Sequence, residues 1–93
     1  LSKQTFRKYE RLKGRIREIL VTYWDPLGVN KYPHVWDEYD PYLFRIFKRI
    51  EDGSTEEDIA NYLVSLEVHS MGLSPADEVR ASEAAVRLVA LLD

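Results

Sequence analysis

From Ser2 to Tyr23 the apolar positions are Phe6, Tyr9, Leu12, Ile16, Ile19, Leu20 and Tyr23. Steps of three and four residues line them up on one stripe of an α-helix. Ser2 or Thr5 supplies the N-cap, since a hydroxyl there accepts from a backbone N–H that has no partner inside the helix. Lys3, Arg7, Arg11 and Arg15 recur at four-residue spacing on the opposite face. The helix must stop near Trp24 or Asp25, because Pro26 lacks an N–H and disfavours helical geometry in the residue before it. Gly28 then permits a positive φ.

Asp40-Pro41 reads as the next helix start, with the aspartate capping and the proline in the first turn, where its missing donor does no harm. The second helix is expected over Pro41 to Asp52, burying Leu43, Phe44, Ile46, Phe47 and Ile50; a start at Asp37 is also open. Gly53 is the natural residue just past its end. Ser54 to Glu57 has the spacing of a capping box, and a third helix follows to about Met71, burying Ile59, Tyr62, Leu63, Leu66 and Val68, with Gly72 closing it. Ser74-Pro75 repeats the cap-plus-proline signal for a fourth helix through Val79, Val86, Leu88, Val89, Leu91 and Leu92. Ala84, Ala85 and Ala90 would let that helix approach a neighbour closely. No strand alternation or internal repeat interrupts this pattern. It predicts an all-α protein, a small four-helix bundle in one domain over residues 1–93, with a long ordered connection between helices 1 and 2.

Composition changes this picture little. The chain has 93 residues, 45% of them hydrophobic, which is enough for one core and against disorder. With no cysteine there is no disulfide or thiolate chemistry, which fits a reducing compartment and gives a cytoplasmic location as the expectation. No apolar run approaches the ~20 residues of a membrane span, and none at the start reads as a secretion signal. The chain begins at Leu1 rather than Met, the expectation being a piece of something slightly longer. Charge is uneven. Residues 1–20 carry seven cations against Glu10 and Glu18, a balance of +5, so the remaining 73 residues hold −8 of the net −3. A basic first helix on an acidic body bears on partners.

The candidate chemistry lies between Trp24 and Tyr42, a stretch holding both tryptophans and three of the four prolines. Ordering so polar and turn-rich a segment costs backbone entropy that packing or function must offset. Trp24-Asp25-Pro26-Leu27-Gly28-Val29 reads structurally as a turn that plugs the end of the bundle, and functionally as one wall of a binding surface with Asp25 at its rim. In Trp36-Asp37-Glu38-Tyr39-Asp40 and Tyr42, three acids and three aromatics interleave within seven residues. A negative aromatic patch suits a basic partner, through electrostatic steering and cation–π contacts. The candidate partner-binding residues are therefore Asp25, Trp36, Asp37, Glu38, Asp40 and Tyr42. His34 and the neighbouring carboxylates match no calcium-loop or zinc spacing, so no metal site, cofactor or catalytic set is expected. Lys3, Arg7, Arg11 and Arg15 give an alternative, a nucleic-acid contact, but no recognised nucleic-acid motif accompanies them and the pI is about 5.4.

The order Trp24-Asp25-Pro26-x-Gly28-Val29, Pro33, Asp37-Glu38-Tyr39-Asp40-x-Tyr42, Gly53 and Met71-Gly72-Leu73 resembles a family of small bacterial helical proteins classed as a domain of unknown function. The resemblance covers about residues 16–73; Pro41 and the length of helix 4 depart from the pattern. Similar short acidic helical proteins are often encoded beside contact-dependent toxins, where they act as immunity proteins. The resemblance implies an all-helical fold, no enzyme activity and no cofactor. The function expected is that of a protein-interaction module, of immunity type, holding a basic toxin domain through the acidic aromatic patch. The alternatives are the nucleic-acid contact and a homodimer joined through that patch.

Overall fold

The computed structural model describes residues 1–92, and they fold as an all-α bundle of four helices. Helix α1 spans Lys3–Ile19, α2 Asp40–Glu51, α3 Glu56–Ser65 and α4 Glu78–Ala90. Ser2 caps α1, its hydroxyl accepting from the Thr5 N–H at 3.0 Å. Both α1 and α3 end in a wider π-helical turn, Leu20–Trp24 and Leu66–Ser70. In each turn the closing bond reaches back five residues, from Asp25 N–H to Leu20 O at 2.8 Å and from Met71 N–H to Leu66 O at 2.9 Å. Such a turn inserts one extra residue, which re-aims the side chains that follow. Trp24 and Glu67 lie in these turns, and both are buried.

The core is built by Leu12, Ile16, Leu20 and Val21 from the first helix and Leu43, Ile46, Phe47 and Ile50 from the second. Ile59, Leu63 and Leu66 of the third meet Ala81, Ala84, Ala85 and Leu88 of the fourth. Fully burying a side chain such as Leu63 contributes roughly 1.5–3 kcal/mol, so these positions hold the bundle together. Apart from Leu88, the inward face of α4 is alanine, and the two helices pack closely along their lengths.

Several local expectations need correction. Asp40 does not cap α2. Its backbone is helical (φ −57°, ψ −35°), because a 3₁₀ segment over Pro33–Tyr39 runs directly into α2 and moves the start of helical structure back to Pro33. The capping box of α3 sits one residue later than Ser54: Thr55 caps, accepting from Asp58 N–H at 3.1 Å while Asp58 accepts from Thr55 N–H at 3.1 Å. Helix α4 begins after Asp77 rather than at Ser74-Pro75; Asp77 accepts from Arg80 N–H at 3.0 Å, and the Ser74–Pro75 bond is cis. Val79 and Val86 are 72% and 46% exposed instead of buried, and Phe6 is 50% exposed. The inward face of α4 is the alanine face, and the valines at i and i+7 lie outside it. Gly53 and Gly72 close α2 and α3 with φ of +94° and +69°, as their positions in the sequence require. Among the described residues no helix is long and apolar enough to cross a membrane.

Candidate functional site

The stretch from Trp24 to Tyr42 is held to the bundle by its own polar groups. Asp25 ends the first helix with φ 38° and ψ 54°, a left-handed conformation that aspartate tolerates better than most residues. That conformation aims its carboxylate at the following turn. There it accepts from Val29 N–H at 2.8 Å, from Asn30 N–H at 3.0 Å and from the Tyr39 hydroxyl at 2.8 Å. The Tyr39 oxygen in turn accepts from Leu27 N–H at 3.0 Å. Tyr39 is wholly buried, its ring 5.4 Å from that of Trp24. Burial pushes its phenol well above the usual tyrosine range, and donation to the Asp25 carboxylate adds to the effect.

Trp36 is half-buried, and its indole N–H is shared between Val29 O at 3.0 Å and Asn30 O at 3.2 Å. Asn30 closes the loop by donating to Val21 O at 3.1 Å. At the far end Arg17 grips Asp40 with two parallel bonds of 2.7 and 2.8 Å, the planar pairing that suits guanidinium to carboxylate. These bonds to Asp40 raise the Arg17 pKa.

Of the six residues singled out for partner binding, Asp25 and Asp40 are thus engaged within the chain. Trp36 and Tyr42 are half-buried, each with an edge at the surface. Asp37 and Glu38 are exposed, and among the described residues neither carboxylate accepts a hydrogen bond or joins an ion pair. Exposed Tyr32 and His34 flank them, ring edge to ring face at 6.3 Å. The structure therefore leaves Asp37 and Glu38 on the outside of one short segment, while Trp36 and Tyr42 pack partly against the core. Lys3, Arg7, Arg11 and Arg15 lie on α1, all exposed and, among the described residues, without an ion-pair partner.

A second polar cluster was not anticipated. Glu67 is only 4% exposed. One of its oxygens accepts from the Trp24 indole N–H in a short 2.6 Å bond, and the other accepts from Asp77 N–H at 3.2 Å. Arg80 donates from Nε to Trp24 O at 2.9 Å, a cation meeting a carbonyl at the C-terminal end of the first helix. The cluster ties the ends of helices 1 and 3 to the start of α4. One sign of it was available in the chain: Glu67 stands four residues after Leu63, on the core-facing row of helix 3, where a charge must find partners. Among the described residues no three histidine, aspartate or glutamate side chains converge so as to hold a metal ion.

Comparison with protein families, with characterised proteins and with solved structures found no match. The likeness to a helical family, drawn from the Trp24–Val29 and Asp37–Tyr42 motifs, stays an expectation.

Proposed function

We propose that the chain is a non-enzymatic, cytoplasmic binding protein whose working surface is the outer side of residues 32–42. Its partner would be a basic protein domain, as in an immunity protein that occupies the cationic face of a toxin. One observation carries this reading. Asp37 and Glu38 stand exposed and, among the described residues, unpaired, on a segment held to the bundle by Asp25, Trp36, Tyr39 and Asp40. A base already rigid spares the backbone an ordering cost on binding, and anionic groups beside aromatic rings favour lysine- and arginine-rich surfaces. Asp25 and Asp40 contribute by bracing, and Trp36 and Tyr42 by the ring edges they leave at the surface.

The test is co-expression with the product of a toxin gene neighbouring the source gene, comparing wild type with the double variant Asp37→Lys, Glu38→Lys. The variant is expected to fold with an unchanged melting temperature and to lose protection and complex formation together. Full protection by the folded variant would remove these carboxylates from the function. A lowered melting temperature would show that they support the fold instead.

The competing reading, a nucleic-acid contact through Lys3, Arg7, Arg11 and Arg15, is supported by the exposure of all four. It predicts binding to short duplexes that weakens steeply with salt, with a slope that counts the phosphates neutralised.

A further inference from the structure

Two exposed faces of the bundle have no role in the toxin-binding reading, and they are complementary to each other. The first is the outer face of α1. Arg7, Arg11 and Arg15 lie along it, each without an ion-pair partner among the described residues, and Glu10 beside them is taken up by Lys13 at 2.7 Å. Gly14 sits among these cations in mid-helix, where glycine costs roughly 0.5–1 kcal/mol relative to alanine. Nothing among the described residues explains it, because a Cβ built there would meet none of their atoms within 4 Å outside its own stretch of helix. A residue without a side chain on an exposed helix face permits another backbone to come close.

The second face is the groove between α3 and α4. Its floor is Ala60, Val64 and Val86, and its rim carries Glu56, Glu57 and Glu78, all exposed and without ion-pair partners among the described residues. Val86 shares an outward row with Val79, seven residues earlier. Valine is a poorer helix former than most residues that could occupy a solvent-facing site. Two valines left outside the core, beside an acidic rim, mark a helix face with no partner inside the monomer.

The dimensions agree. At about 1.5 Å per residue, Arg7 to Arg15 spans about 12 Å of α1, and Glu57 to Val64 spans about 10 Å of α3. We infer that the α3/α4 groove takes the basic face of α1 from a second copy of this chain. The contact would set Arg7, Arg11 and Arg15 against Glu56, Glu57 and Glu78, with Gly14 at the closest approach. A duplex nucleic acid would account for the cations alone; a second copy accounts for both faces. The two faces are different surfaces of one molecule, so a single contact leaves one of each unfilled: association then extends head-to-tail into chains or a ring, or closes as a pair where both contacts form across a two-fold axis. It leaves Asp37 and Glu38 free, so it stands or falls separately from the toxin-binding reading.

Sedimentation of the purified chain tests this. Wild type is expected to increase in mean mass with concentration between about 10 μM and 1 mM at low salt, the range for a small charged interface. Raising the ionic strength to about 0.5 M should return it to monomer. Arg7→Glu with Arg11→Glu, and separately Glu56→Lys with Glu57→Lys, should each stay monomeric while keeping the wild-type helical circular dichroism. Mixed in equal amounts, the two variants should associate again, because each keeps the face the other has lost. Two results would overturn the inference: a monomer throughout, or a mixture no heavier than its parts. Salt-sensitive binding of a short RNA duplex by an otherwise monomeric wild type would give the α1 face to nucleic acid, and would equally overturn it.

Discussion

Replacing Glu67 by Gln tests the buried cluster that joins three helix ends. The change keeps shape and size and removes only the charge and one acceptor. Glu67 accepts two hydrogen bonds, from Trp24 Nε1 at 2.6 Å and Asp77 N at 3.2 Å, while only 4% exposed. A glutamine has one acceptor oxygen, so whichever N–H it satisfies, its own NH₂ group faces the other. One bond survives as a neutral contact, worth about 1 kcal/mol in place of the 1.5–3 kcal/mol of a charged one, and the second N–H, part-buried where it is that of Asp77, loses its partner at a cost of up to about 1–3 kcal/mol. Neutralising a buried carboxylate returns part of its desolvation cost. The expected net loss is therefore about 2–3 kcal/mol, a large share of the ~5–14 kcal/mol a domain of this length has. In urea, with a slope near 1 kcal/mol per M for so small a protein, the midpoint should fall by about 2 M. Circular dichroism at the helical minimum is the readout, since it still applies when Trp24 is replaced. Trp24→Phe, alone and combined with Glu67→Gln, completes a double-mutant cycle in which the two residues should couple by at least ~1 kcal/mol. If Glu67→Gln lies within ~0.5 kcal/mol of wild type, or the two changes simply add, the carboxylate does not hold these ends together.

Thr55→Ala should cost about 1 kcal/mol by removing the α3 cap, whereas Ser54→Ala should change thermal stability within error; the reverse ranking would move the cap back one residue. Gly14→Ala should raise stability by roughly 0.5–1 kcal/mol in a urea melt, since a Cβ there meets nothing within 4 Å, and a loss would reveal a close approach inside the monomer. Stability should also fall as pH rises above about 10. The buried Tyr39 phenol stays protonated in the folded chain while the unfolded chain ionises, so the unfolded state binds fewer protons and stability declines by up to ~1.4 kcal/mol per pH unit for this group. Tyr39→Phe, less stable at neutral pH, should show a shallower alkaline decline between pH ~9 and ~11 in thermal melts; an unchanged slope would mean that the phenol is not held neutral.

Much of the fold was legible in the chain because its signals act within a turn or two. Periods of three and four residues placed Leu12, Ile16 and Leu20 on one row and Ile59 and Leu63 on another, and all are buried. Pro26, Gly53 and Gly72 mark where helices stop because φ and the backbone N–H are local properties. Tertiary structure decided where the polar groups go, since their partners lie far along the chain. Asp40 looked like a cap and is instead held by Arg17, 23 residues away; Glu67 meets Trp24 across 43 residues. The outcome for α4 was also tertiary. Both its alanine face and its valine face are apolar in sequence, and close packing against α3 selected the smaller side chains, leaving Val79 and Val86 outside. In the same way the acids of the connection divided by geometry: Asp25 and Asp40 took partners within the chain and brace the segment, and Asp37 and Glu38 remained outside, where a 3₁₀ path over Pro33–Tyr39 put them.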